Sequence, residues 1–131
     1  MTNQNNTKRI IAIDNAPKAI GPYSQGVEIN NTFYFSGMLP IDPTTGKFVP
    51  GGTAEQTEQI FKNIDALLKS QNLTSQNVIK ATVFLKDLKD FAAMNEKYAQ
   101  YFSTNPPARS CVEVARLPLD ALVEIEVIAI R

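Results

Sequence analysis

Two stretches of the chain carry apolar residues at helical spacing. In the first, the apolar positions recur every three or four residues and consist of Ile60, Phe61, Ile64, Leu67 and Leu68. Just before them, Thr53-Ala-Glu-Gln56 has the spacing of a capping box, in which the fourth side chain reaches back to the cap. The pattern predicts a helix that begins at Thr53 and ends near Asn72.

A second helix is predicted in the segment that precedes Pro106-Pro107, because two successive prolines end a helix. Asp87 or Asp90 can cap its beginning. Its buried side is marked by Phe91, Met94, Tyr98, Tyr101 and Phe102.

The other apolar segments are short and rich in β-branched residues, which favours strands. They span 8–13, 26–30, 32–37, 77–86, 110–115 and 122–130. Asn30-Asn31 suits a tight turn between the second and third strands, since Asn tolerates positive φ. Segments 15–23 and 40–52 hold many prolines and glycines and are predicted loops.

Within the second loop, Thr44-Thr45-Gly46-Lys47 has a superficial likeness to a phosphate-binding loop. Such a loop needs a glycine where Ile41 stands and a serine or threonine where Phe48 stands. We therefore interpret this stretch as a β-turn with Gly46 at its tight position.

The order strands, helix, strand, helix, strands is typical of an α+β protein, with two helices packed on one face of a mixed sheet. The last strand alternates with a period of two. One face carries Val123, Ile125, Val127 and Ala129, and the other carries Glu124, Glu126, Ile128 and Ile130. Because both faces hold large aliphatic side chains, we expect the helices to cover one face and another subunit to cover the other.

The length of 131 residues fits a single domain over 1–131, with a loose tail over 1–7. Thirteen basic and thirteen acidic residues give a net charge of zero, which makes a nucleic-acid partner a poor expectation. No apolar run approaches the roughly 18 residues of a membrane span, and the polar N-terminus does not resemble a secretory signal. We therefore expect a cytoplasmic protein.

The chain contains no histidine and only one cysteine. This composition excludes catalytic sets that need histidine, and it excludes zinc sites built from histidine or several cysteines. An acid or base in this protein is therefore a carboxylate, a lysine, a tyrosine, Cys111 or water.

Three residues are candidates for the chemistry of a small acid. Arg109 lies at the start of a predicted strand, and its planar fork of donors suits a carboxylate, although the residue taken alone favours a surface salt bridge. Glu124 and Glu126 share a strand face with Ile128 and Ile130. Such surroundings would raise a carboxylate pKa and suit acid/base work, whereas a solvated sheet edge is the alternative.

Three further residues are candidates for the walls of a site. Cys111 lies two positions after Arg109 and shares its face, where a small buried apolar role is favoured over a nucleophile. Asn95 interrupts the apolar side of the second helix and, if buried, needs a partner in a loop or a ligand. Tyr23 ends a proline-rich loop and is either a pocket wall or a packed aromatic.

Five segments together resemble the Rid family of RidA-type reactive-intermediate deaminases. They are Asn15-Ala-Pro-x-Ala-Ile-Gly-Pro-Tyr-Ser-Gln25 with Ser36-Gly37, Phe91-Ala-x-x-Asn95, Pro107-Ala-Arg-Ser-Cys-Val-Glu-Val-Ala-Arg-Leu-Pro118, and Val123-Glu-Ile-Glu-Val-Ile-Ala129. The resemblance implies a chorismate-mutase-like α+β fold. It also implies a homotrimer with a central barrel-like core, sites between neighbouring subunits, and no cofactor or metal.

The resemblance implies hydrolysis of 2-aminoacrylate and similar enamine/imine acids to 2-keto acids and ammonia. It places Arg109 on the substrate carboxylate and Glu124 on the attacking water. It makes the remaining pocket positions substrate-binding: Tyr23, Ser36, Gly37, Asn95 and Cys111. The chain departs from the family pattern at Met38, where glutamine is usual, and at Leu119, where lysine is common, and both bear on substrate preference.

Two other functions stay open at the level of sequence. The same cleft could bind a small acid and act as a regulatory module without important turnover, since a carboxylate clamp serves both roles. RNA cleavage or translation inhibition, associated with some relatives, is weakened by the neutral charge and by the absence of histidine.

Overall fold

A computed structural model describes residues 7–131. The predicted loose tail over 1–7 therefore lies outside the described residues, except for Thr7. The described chain forms eight strands, two α-helices and three short 3-10 turns.

The first helix, α1, spans Thr53–Ser70, close to the predicted bounds. Its capping arrangement differs from the prediction. Gly52 is the N-cap, and the Glu55 carboxylate accepts a hydrogen bond from the Gly52 N–H at 2.9 Å. Gln56 does not reach back, because its side-chain oxygen accepts from the Leu122 N–H at 2.9 Å and so ties α1 to the last strand.

The second helix, α2, spans Phe91–Tyr101. Both predicted caps lie at its beginning but differ in role: the Asp87 carboxylate accepts from the Lys89 N–H in a preceding 3-10 turn, and Asp90 occupies the N-cap position without a side-chain bond. Along the predicted buried side, Met94, Tyr98 and Phe102 are buried, and Phe91 and Tyr101 pack partly exposed against the core.

Six strands form one mixed sheet in the order β1-β2-β3-β8-β6-β7. Their bounds are Arg9–Ile11 (β1), Gly26–Ile29 (β2), Thr32–Phe35 (β3), Val78–Leu85 (β6), Ala108–Glu113 (β7) and Val123–Ile130 (β8). Only the β6–β7 pair at one edge is parallel, and α2 is the crossover between those strands. The α+β prediction with a mixed sheet is confirmed.

Two details of the strand prediction are corrected. β7 begins at Ala108 and ends at Glu113, two residues earlier at each end than predicted, because it pairs with β6 from Lys80↔Ala108 onward. The predicted loop over 40–52 contains a small hairpin of Ile41–Asp42 (β4) and Lys47–Phe48 (β5). Its turn has Gly46 at φ +75°, as the β-turn interpretation requires.

The two helices pack on one face of the sheet and enclose the core, which includes Phe33, Leu67, Val83, Ile125 and Val127. The opposite face carries no helix within residues 7–131. That bare face holds large apolar side chains from five strands in succession: Val27, Tyr34, Ile128, Phe84 and Val112. Tyr34 is 46% exposed and Val112 is 44% exposed.

Candidate active site

Arg109 lies on the edge strand β7, opposite Ala81 of β6, and points to the helix-covered face. Its Nη1 donates a 2.7 Å hydrogen bond to the Asn95 Oδ1. The guanidinium carbon lies 4.6 Å from the centre of the Tyr98 ring and 5.3 Å from that of Phe91. Within the described residues Arg109 has no carboxylate partner, so the surface salt bridge is not the arrangement observed.

Asn95 finds its partner in Arg109 rather than in a loop. As Phe91, Asn95 and Tyr98 lie four and three positions apart on α2, they share one side of that helix. The amide oxygen of Asn95 therefore fixes one nitrogen of the Arg109 guanidinium. This contact suits a residue that orients the arginine.

Cys111 lies opposite Val83 and so shares the face of Arg109, as predicted. It is half-buried and packs against the core. Burial raises the pKa of the Cys111 thiol, and the nearby Arg109 offsets only part of that effect. A thiol with a raised pKa is a weak nucleophile at neutral pH, so the apolar packing role fits this position.

Glu124 lies on β8 opposite Phe84 and points to the bare face. Burial raises the pKa of the Glu124 carboxyl, and repulsion from the neighbouring Glu126 raises it further. Such a carboxyl can exchange a proton closer to neutral pH than an ordinary glutamate does. The predicted environment of this residue is present in the structure.

Gly37 lies directly beside Glu124. A Cβ built at Gly37 would overlap the Oε2 of the Glu124 carboxylate, so a larger residue there would have to displace that carboxylate. The next residue, Met38, is held against β8 by two backbone hydrogen bonds with Ile125, of 2.8 and 3.3 Å. These two hydrogen bonds fix the position of the Gly37 backbone relative to the Glu124 carboxylate.

Tyr23 and Ser36 line a common surface groove of about 510 Å³, and together with Gly37 they line a narrower adjoining pocket of about 30 Å³. The Ser36 hydroxyl donates to the Ser24 carbonyl at 2.5 Å. Tyr23 is half-exposed, and its hydroxyl accepts a 3.3 Å hydrogen bond from the Ile20 N–H. Tyr23 is therefore a wall open to solvent rather than a packed core aromatic.

Gln25 holds the loop over 15–23, which carries Tyr23, in place. This role was not predicted from the sequence. Its side chain is buried and accepts from the Ile13 N–H at 2.6 Å, while its Nε2 donates to the carbonyls of Ile13 at 3.0 Å and Pro17 at 2.8 Å. Its own carbonyl accepts from the Ser36 N–H at 2.9 Å. The signal in the sequence was a single glutamine within an otherwise apolar and small-residue stretch.

The structure thus sorts the candidate residues into two groups. The Arg109 half-site comprises Arg109, Asn95 and Cys111, and the Glu124 half-site comprises Glu124, Gly37, Ser36 and Tyr23. The pairings with β6 show that the two groups occupy opposite faces of the sheet. Arg109 pairs with Ala81 and Glu124 pairs with Phe84. Paired residues share a face, and Ala81 and Phe84 lie an odd number of positions apart on β6, so they point to opposite faces. A single chain does not bring its own Arg109 and Glu124 side chains together.

Residues 7–131 contain neither a candidate metal cluster nor a candidate membrane-spanning helix. No group of three or more His, Cys, Asp and Glu side chains is placed to hold a metal ion. No helix in this part of the chain is long and apolar enough to cross a membrane.

The chain is thus a small α+β protein with helices on one face of the sheet, an arginine anchored on that face and a carboxyl of raised pKa on the other. The family model described as endoribonuclease L-PSP matches residues 13–131. The chain belongs to this L-PSP family, also called the RutC or Rid family, as the sequence resemblance indicated.

Relatives in this family carry different names. A RutC family protein of Pyrococcus horikoshii is 51% identical over 95% of this chain and 98% of its own length. A 2-iminobutanoate/2-iminopropanoate deaminase of Capra hircus is 48% identical over 95% of this chain and 90% of its own.

Solved structures agree with the fold. A conserved Rid family protein of Yersinia pestis has a TM-score of 0.92 at 47% identity, covering 95% of this chain and 100% of that one. E. coli TdcF with bound serine has a TM-score of 0.89 at 44% identity, covering 94% and 98%.

Proposed function

We propose that this protein is a cofactor-independent hydrolase that converts reactive enamine/imine acids, such as 2-aminoacrylate, to 2-keto acids and ammonia. The observation that carries the proposal is the state of Arg109, which is anchored by Asn95 and two aromatic rings yet has no carboxylate partner among the described residues. An anchored, unpaired guanidinium suits a carboxylate ligand. Relatives named 2-iminobutanoate/2-iminopropanoate deaminase give the reaction its type.

Arg109 would bind the substrate carboxylate. A guanidinium has five N–H donors in a fixed fork, and the contact with Asn95 Oδ1 is made from Nη1. The other donors can form two parallel hydrogen bonds to a carboxylate, each contributing about 1.5–3 kcal/mol. The planar end of the acid would then be fixed and its reacting carbon oriented.

Glu124 would manage the protons. The enamine takes up a proton at its terminal carbon and becomes an iminium ion, whose carbon is attacked by water. Glu124 in its ionised form orients that water and accepts one of its protons, which gives a neutral carbinolamine. The carboxyl then returns this proton to the amino group. As the C–N bond breaks, the hydroxyl oxygen forms the carbonyl and gives its proton to the Glu124 carboxylate, so ammonia leaves and the keto acid remains. A carboxyl with a raised pKa suits both directions of transfer.

The opposite placement of the two half-sites supports a site shared by two copies of the chain. We propose a homotrimer with a central barrel-like core, in which the Arg109 half-site of one subunit faces the Glu124 half-site of the next. The bare apolar face, with Tyr34, Val112 and Ile130 each at least 44% exposed, supports burial against another copy.

The remaining candidates would shape this shared cleft. The backbone at Gly37 lies against the Glu124 carboxylate and would approach the substrate or water closely. Tyr23 and Ser36 would form the wall on the same side. Cys111 would contribute its backbone beside Arg109 while its side chain packs against the core.

A second function is favoured by one comparison. A relative, E. coli TdcF, has a structure with bound serine, so a cleft of this kind can hold a small amino acid. This protein would then be a small-acid-binding regulatory module, and its turnover would be of little importance.

The deaminase proposal is tested by measuring ammonia and pyruvate release from 2-aminoacrylate generated in situ by a serine dehydratase. We expect the wild type to speed release and Arg109→Ala to fall to the background rate. Glu124→Gln should lose about 10²-fold, the usual contribution of a general acid or base. Arg9→Ala is the matched arginine control, because Arg9 is engaged in an ion pair with Glu28 at the far edge of the sheet.

The same assay separates the two functions. Wild-type release at the background rate would refute the deaminase proposal. Calorimetric binding of serine or 2-oxobutanoate that is lost in Arg109→Ala would in that case support the regulatory module.

A further inference from the structure

The side of α2 that faces β7 presents two aromatic rings to Arg109. The guanidinium carbon lies 4.6 Å from the Tyr98 ring centre and 5.3 Å from the Phe91 ring centre, both within the range of a cation–π interaction. Tyr98 is buried and Phe91 is partly buried. The attraction is stronger where water is excluded, so the contact with Tyr98 should be the stronger one.

The rings and Asn95 constrain different degrees of freedom of the arginine. The hydrogen bond from Nη1 to Asn95 Oδ1 fixes one end of the fork but leaves rotation about that contact. Ring faces restrict the position of the whole guanidinium plane without using any N–H donor. The donors needed for a carboxylate therefore stay free while the long side chain loses rotamer freedom before the ligand arrives.

We infer that Phe91 and Tyr98 are positioning residues that hold the Arg109 guanidinium ready for the substrate carboxylate. The inference rests on the proposed function for its consequence in catalysis, although the contact itself is a property of the free protein. Neither ring needs to touch the substrate.

The Tyr98 hydroxyl allows a matched control. It is buried and has no hydrogen-bond partner within the described residues, so Tyr98→Phe removes the hydroxyl and keeps the ring. Tyr98→Leu removes the ring and keeps a smaller apolar side chain. Phe91→Leu is the companion variant at the less buried position.

The kinetic test compares KM and kcat of these variants with 2-aminoacrylate generated in situ. Loss of a positioned carboxylate clamp weakens ground-state and transition-state binding alike, so KM should rise while kcat holds. We expect about a 3- to 30-fold rise in KM for Tyr98→Leu, a smaller rise for Phe91→Leu, and no rise for Tyr98→Phe. A variant that merely loses folded protein would lower kcat at constant KM, and that pattern would overturn the inference.

A second readout does not depend on turnover. Protons above an aromatic face are shifted upfield by the ring current, so the Arg109 side-chain N–H signals should lie upfield in the NMR spectrum of the full-length protein. The shift should persist in Tyr98→Phe and diminish in Tyr98→Leu. Unshifted Arg109 signals would overturn the inference whatever the activity, whereas background turnover with shifted signals would refute only the proposed function.

Discussion

At the scale of single residues, Gly37 is constrained by the carboxylate that lies beside it. A Cβ at this position would overlap the Glu124 carboxylate, so Gly37→Ala must displace either the carboxylate or the loop. We expect kcat for imine hydrolysis to fall by about tenfold or more, because a misplaced proton-transfer group loses much of its effect.

Gly52→Ala is the matched control for that substitution, since the nearest atom to its added Cβ lies 4.0 Å away. The control should keep wild-type kcat. Equal activity in Gly37→Ala and the wild type would show that the position of Glu124 is not needed for turnover.

The environment that suits Glu124 to proton transfer should also lower the stability of the folded protein at neutral pH. Its pKa is raised in the folded protein by burial and by Glu126. The folded state therefore holds the proton more tightly than the unfolded chain. The stabilisation that the protonated Glu124 gives the folded state is complete below the ordinary glutamate pKa of 4.5. It is lost as the pH rises through the raised pKa of the folded protein.

The consequence is measured by urea unfolding of Glu124→Gln against the wild type at a protein concentration at which both chains are monomeric, because Arg109 of a neighbouring subunit would lower this pKa. The variant should be more stable than the wild type at pH 7, with a difference that shrinks as pH falls toward 4. A variant that is less stable at pH 7 would contradict the direction of the pKa shift.

The sequence indicated candidate residues for the site but not the contacts that these residues make. Resemblance supplied Arg109 and Glu124, and strand periodicity placed Cys111 on the face of Arg109. The partner of Asn95 could not be predicted, because the contact with Arg109 joins α2 to β7 across the fold. Gln25 was missed because its importance comes from four backbone groups around it in space.

At the scale of elements, the loop that carries Tyr23 depends on Gln25. Gln25→Ala would leave the Ile13 N–H and the carbonyls of Ile13 and Pro17 without this partner. We expect a loss of about 2–3 kcal/mol in the free energy of unfolding, since unsatisfied buried polar groups cost about 1–3 kcal/mol each and some regain water.

Urea denaturation monitored by circular dichroism measures that loss. Gln76→Ala is a suitable control, because Gln76 is an exposed residue that makes one side-chain bond, to the Thr104 carbonyl. A change in Gln25→Ala no larger than in this control would mean that the loop is held by other contacts.

The helices and long strands were predictable because their apolar periodicity is strong. The start of α1 was correctly predicted but its capping was wrong. Two competing side chains, Glu55 and Gln56, lie within reach of the cap, and a tertiary contact with Leu122 draws Gln56 away. The β4–β5 hairpin was missed because two-residue strands carry no periodicity.

At the scale of the whole molecule, the bare face should be the surface between subunits. Val112→Glu would place a charge among exposed apolar side chains of that face. We expect it to weaken the oligomer and to reduce deamination with it. Sedimentation velocity measures the effect.

Leu88→Glu is the control, because Leu88 is 46% exposed but lies in the 3-10 turn before α2. This variant should sediment like the wild type. A wild type that sediments as a monomer at micromolar concentration would refute the shared site.

Periodicity predicted that the last strand has two partly apolar faces, and from that an oligomer. Periodicity within one strand could not show that Arg109 and Glu124 point to opposite faces of the sheet. Which residues of β7 and β8 share a face depends on how each strand is paired with β6. That relation is what turns a list of pocket residues into two half-sites.

The most direct test of the deaminase site shared by two copies is complementation between inactive chains. Arg109→Ala and Glu124→Gln subunits are unfolded together, refolded as a mixture, and assayed for ammonia release from 2-aminoacrylate. Random assembly gives about a quarter of the sites an intact Arg109 and an intact Glu124 from neighbouring subunits. We predict recovery of about a quarter of wild-type activity, and mixed oligomers with no recovery would contradict the account.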